Sequence, residues 1–146
     1  MTSTITTIKN KVIEQLETFD AIKSVKLQRF GTFPWDIDAP GYPVAIVTSP
    51  SMVSEVLDNA SNLRTYDMTV YIVFDADKVK SDGQEVDELF EDLMDHFDVR
   101  TTMEGIFNGY VSPSTVGPMP IEGNQNRAMG SLRLKISVAT DVMNCS

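Results

Sequence analysis

From Arg64 to Phe74 the chain reads RTYDMTVYIVF, and one side of the alternation is large or apolar throughout: Tyr66, Met68, Val70, Ile72 and Phe74. Side chains of a strand point to opposite faces in turn, so this register sets one whole face against a core. The other side begins polar, with Thr65, Asp67 and Thr69, and ends apolar, with Tyr71 and Val73. A strand packed on one side only would stay polar there to its end. Something must therefore cover the second face near Val73: a loop of the same chain, such as 31–43, or the surface of another subunit.

The rest of the chain supplies elements to pack on the first face. Ile5, Ile8, Val12, Leu16 and Phe19 are spaced as one stripe of a helix over about 4–19, with Lys9, Lys11, Glu14 and Glu17 on the opposite side. Ser3 or Thr4 can cap it. A short strand, SVKLQRF, follows, with Val25 and Leu27 on one face. YPVAIVTS reads as the next strand, and MVSEVL leads through Asp58-Asn59 into the long strand, giving a hairpin. DADKVKSDG ends that strand with turn residues.

The second helix has the strongest local signal. Val86, Leu89, Phe90, Leu93, Met94 and Phe97 fall at helical spacing, and Asp87, Glu88, Glu91, Asp92 and Asp95 make the other face acidic. Asp82, with Glu85 three residues later, has the pattern of a capping box. GIFNGYVSP is a further short strand. In the last strand, 128–142, Leu132, Leu134, Ile136 and Val138 face one way and Arg133, Lys135 and Ser137 the other.

Two segments rich in proline and glycine, 31–43 and 113–127, read as loops. They carry large apolar groups that solvated loops rarely use: Phe33, Trp35, Ile37 and Tyr42 in the first, Met119 and Ile121 in the second. Each such group either folds back on the core or anchors a partner. With Tyr71 and Val73, the residues Phe33, Trp35, Tyr42, Met119 and Ile121 form the candidate partner or subunit interface.

Together these elements indicate a single α+β domain spanning 1–146. Its sheet is mostly antiparallel, of four to five strands, with two amphipathic helices on one face. No internal repeat or linker interrupts it. A net charge of −9 argues against binding the outside of a nucleic acid duplex, which needs clustered Lys and Arg. The lone cysteine, Cys145, forms no disulfide within the chain. The amino terminus lacks the basic start and apolar stretch of a signal peptide, and no apolar run approaches the roughly 18 residues of a membrane span.

Chemistry is sparsely signalled. One His and one Cys cannot make a common zinc set, and His96 has no His or Cys one helical turn away. Asp75, Asp77 and Asp82 only faintly suggest a calcium loop, because Val79 stands where a third acid belongs. No phosphate-binding glycine loop or nucleophile elbow is present. The expectation is a protein that is not an enzyme and needs no cofactor.

The succession of elements resembles the small tail-completion proteins of tailed phages, in particular the tail terminators. It rests on the order of helix, YPVAIV strand, polar hairpin, NLRTYDMTVYIVF strand, VDELFEDLMDHF helix, Pro/Gly loop and AMGSLRLKISVAT strand. It covers nearly the whole chain and rests on pattern rather than on an invariant motif. The resemblance implies a homo-oligomeric ring, a hexamer in that family, seated on the last ring of the tail tube. Such a ring ends tube growth, meets the head–tail connector or neck protein, and lets DNA pass through its lumen without specific binding. The implied location is the virion tail or neck, after assembly in the host cytoplasm, with no membrane partner. Head-completion or neck connector proteins share this outline, and a non-viral α+β module binding a small molecule or peptide is the alternative of a different class.

Overall fold

The computed structural model describes residues 4–28, 31–34, 41–56, 61–99, 109–121 and 124–141. In chain order the elements are α1 (Thr4–Leu16), β1 (Ser24–Leu27), β2 (Val44–Val47), β3 (Ser51–Val56), β4 (Ser61–Asp75), α2 (Ala76–Ser81), α3 (Gly83–Val99), β5 (Gly109–Ile121) and β6 (Asn124–Asp141). The fold is α+β, with a six-stranded mixed sheet in the order β1-β2-β4-β6-β5 and β3 paired to β4 beside this path. Only β1 and β2 run parallel; every other pair is antiparallel.

The long strand organises the sheet as its alternation requires. Tyr66, Met68, Val70, Ile72 and Phe74 are all buried; on β6 the buried Ile136, Leu134 and Leu132 stand opposite Tyr66, Met68 and Val70, and the buried Val138 opposite Arg64. The α1 stripe of Ile8, Val12 and Leu16 and the α3 stripe of Val86, Leu89, Phe90, Leu93 and Phe97 close over this face as one core. At its centre Phe74 and Phe90 pack ring against ring, with centroids 5.8 Å apart. Gly130, also on this face of β6, is required by close approach. A Cβ there would lie 2.5 Å from Phe90 Cζ and 2.8 Å from the Val116 carbonyl oxygen.

The helices are joined to one another as well as to the sheet. His96 Nε2 lies 2.7 Å from Gln15 Oε1 and, as the group bearing the proton, donates to the amide oxygen. The His96 ring meets Phe19 and Phe97 edge-on. It is thus a half-buried seam residue between α1 and α3.

Four sequence expectations change. The sheet has six strands rather than four to five, because 51–56, read as the lead-in to the long strand, is a strand of its own, β3. The described residues of the segment 113–127 are strand rather than loop: β5 runs through Pro113, Pro118 and Pro120 to Ile121 and pairs with β6, which begins at Asn124. β5 is an edge strand, where a missing N–H removes no ladder bond from a second neighbour. The turn at 76–81 is the short helix α2. The capping box is not closed, because the Asp82 N–H donates to the Lys78 carbonyl at 2.8 Å and Lys78 Nζ holds the Glu85 carboxylate at 3.2 Å.

Candidate interaction surface

The second face of the sheet divides along β4. At the Asp75 end, register places Val73 between Val44 and Met129, and Tyr71 between Ile46 and Ser131. Val44, Ile46 and Val73 form a small second core, with Tyr42, Tyr71 and Met129 packed against it. β2 is therefore buried on both faces, which is why VAIV lacks alternation. Arg127 lies over the Tyr42 ring, 4.2 Å from its centroid, and donates to the Asn126 carbonyl. Guanidinium over an aromatic face is a favourable arrangement, and it extends the apolar cover outward.

Beside this cluster the β5–β6 ladder is irregular. Register shifts fall between Val116 and Met119 and between Pro120 and Ile121. Bulges bend a strand and open its ladder. Here the irregularity borders an open cavity of about 530 Å³ lined by Tyr71, Val116, Met119, Ile121, Met129 and Ser131, among others. Its walls are mainly apolar, and Val116 and Met119 stand exposed at its rim.

Toward the Ser61 end the same face turns polar. Arg133 Nε donates to Asp67 Oδ1 at 2.8 Å and Arg133 Nη2 to Asp67 Oδ2, a two-pronged pair across β4 and β6. The guanidinium hydrogen bond holds the Asp67 carboxyl below its usual range, and the Arg133 and Lys135 charges add to it. The same bond raises the Arg133 pKa further above its ordinary value. Thr65 and Ser137 hydroxyls face each other at 3.5 Å.

Beyond this end stands β3. It pairs only with β4, from Ser51 opposite Asp67 to Val56 opposite Asn62, and all six of its residues are exposed. Three of them are apolar: Met52, Val53 and Val56, the last 80% exposed. Thr48 marks the break from β2, its hydroxyl donating to the Thr69 carbonyl at 2.6 Å.

The expected interface residues are thus dispersed. Val73 is 0% exposed and closed within the chain, so it offers nothing to a partner. Ile121, at 8%, forms a cavity wall rather than a projecting contact. Tyr42 and Tyr71 are half-buried around the small core. Phe33 and Met119 are open, at 59% and 61%. Trp35 lies outside the described residues. The sequence reading missed β3 as a surface; the signal was SMVSEV, in which Met52, Val53 and Val56 do not alternate to one face.

Among the described residues no three His, Cys, Asp or Glu side chains stand close enough to hold a metal, and no helix is long and apolar enough to cross a membrane. The fold defines an α+β domain with two open apolar surfaces. No protein-family model matches the chain, and no curated protein does.

Proposed function

We propose that this chain is a structural ring subunit of the tail-terminator type, acting at the head-proximal end of a phage tail tube. One observation carries the reading: an exposed edge strand, β3, with three large apolar residues in solvent, on a domain whose main core is closed by its own helices. A long-lived monomer blunts such edges with charge, proline or cover, whereas an assembly subunit uses them. The order of elements that resembles tail terminators supports the same reading. So does the net charge of −9, which suits a channel that DNA must pass without adhering.

Deleting the gene from the genome that carries it tests this. The expected result is overlong tail tubes without heads, seen by electron microscopy, with normal tails restored by the wild-type gene. Normal tail length after deletion, or a genome with no portal and tail-tube genes, overturns it.

The cavity of about 530 Å³ favours a second reading, a small-molecule or peptide-binding module, since ligand pockets fall at roughly 300–1,000 Å³. A melting shift on adding a compound from a metabolite panel, with the chain monomeric throughout, supports that reading over the first.

A further inference from the structure

Two apolar surfaces stay open on one chain, at opposite ends of β4. The cavity lies beside Tyr71, and β3 lies beside Thr65, where Val53 pairs. Six residues of strand separate them, roughly 20 Å at the rise of a strand. The chain therefore cannot satisfy one with the other. A second copy can.

We propose, resting on the ring-subunit reading above, that β3 of one copy seats in the bulge cavity of the next. β3 has the form of an inserted element. Register puts Met52 with Tyr66 and Val56 with Asn62 on the helix side of the sheet, and Val53 with Thr65 on the other. The strand is thus apolar on both faces, and neither is covered. At the receiving end the bulge leaves Val116 and Met119 projecting around the opening.

The charges match as well. Arg127, two residues before the cavity-lining Met129 on β6, stands opposite Asp75 in register but makes no ion pair with a carboxylate among the described residues; it touches the Asn126 carbonyl and the Tyr42 ring. Glu55, between Ser54 and Val56 on β3, has no cationic partner among them either. Seating β3 in the cavity brings a carboxylate toward a guanidinium, neither of them in an ion pair among the described residues, at an apolar contact where such a pair adds specificity.

The two surfaces differ, so the contact is head-to-tail. Repeated around an axis it closes into a ring; it does not need a two-fold. Of the other edges of the sheet, β5 is barred from strand pairing at Pro113, Pro118 and Pro120 and β1 spans only four residues, which leaves β3 as the longer edge open to assembly.

Two variants of the full chain separate this contact from any other. The first replaces Met52, Val53 and Val56 with Ser; the second carries Val116→Asp and Met119→Asp. All five positions are exposed, so both variants should keep the wild-type circular dichroism and melting temperature. Sedimentation velocity should show concentration-dependent oligomers for wild type and association at least about tenfold weaker for each variant. An equimolar mixture of the two variants is the decisive sample. It retains one intact strand and one intact cavity, so it should give heterodimers and nothing larger. A mixture that stays monomeric, or a Ser variant that assembles like wild type, overturns the contact and leaves the ring reading standing. Wild type that stays monomeric both in solution and on tail tubes overturns both. If either variant loses its folded spectrum, Glu55→Arg and Arg127→Glu serve instead: each alone should weaken association, and their mixture should restore it. Failure of that restoration also overturns the contact.

Discussion

The two faces of β4 obey the same alternation and have different fates. On one, five successive inward residues from Tyr66 to Phe74 are buried under two helices. On the other, Thr65 to Tyr71 are half-buried and only Val73 is fully buried, and no helix is involved: the second core there is closed by tyrosine, methionine and the flanking strand β2. The first face is an ordinary amphipathic solution, in which apolar stripes of helix and sheet meet. The second is a junction, half packed and half open, and an open apolar surface adjoining a small core is where further contacts form. A strand can thus be internal on one side and interfacial on the other within a few residues.

The largest expected break in this comparison is on the helix face. Phe74→Ala removes a ring that packs on Phe90, and buried Phe→Ala changes cost about 3–5 kcal/mol. Against a domain stability of roughly 5–15 kcal/mol, urea denaturation should show a large loss. Gly130→Ala follows. The added methyl meets both Phe90 and the Val116 backbone, so overpacking of about 1–3 kcal/mol is expected in the same assay.

Val73→Ala sharpens the contrast. If the small core is closed by the chain itself, this change should cost about 2 kcal/mol in the isolated monomer, despite lying on the open face. A loss seen only in the assembled state would instead assign Val73 to a partner.

At the polar end the effects are small. Asp67 has a folded pKa below its unfolded one, so its pair with Arg133 adds stability above the ordinary carboxylate pKa of 3.8 and loses it as pH falls through the lower folded value. Arg133→Ala should therefore lower the melting temperature slightly at pH 7 and not at all once Asp67 is protonated. The exposed setting and salt screening keep that difference small. Smallest of all, Val53→Ser and Val56→Ser should change monomer stability by no more than about 0.5 kcal/mol, since both are already in solvent.

The sequence by itself determined the helix face and the fold class. Strict alternation in β4 and β6 and helical spacing in α1 and α3 report local geometry directly, and each stripe names the side chains that must meet. It also showed that the second face of β4 changes character after Thr69, though not what covers it. Tertiary structure alone decided three matters. Residues 113–121 form a strand because β6 offers a partner edge to a segment whose prolines read as loop, and an edge position tolerates them. Val73 and Ile121 lie inside because β2 and the bulged hairpin close around them; the register partners of Val73, Val44 and Met129, are 29 and 56 positions away. Met52, Val53 and Val56 lie outside because β3 pairs along the Asn62–Asp67 end of β4, where all six of its residues stay exposed. Apolar character fixes which side chains leave water; only the path of the chain fixes whether their own fold provides the place.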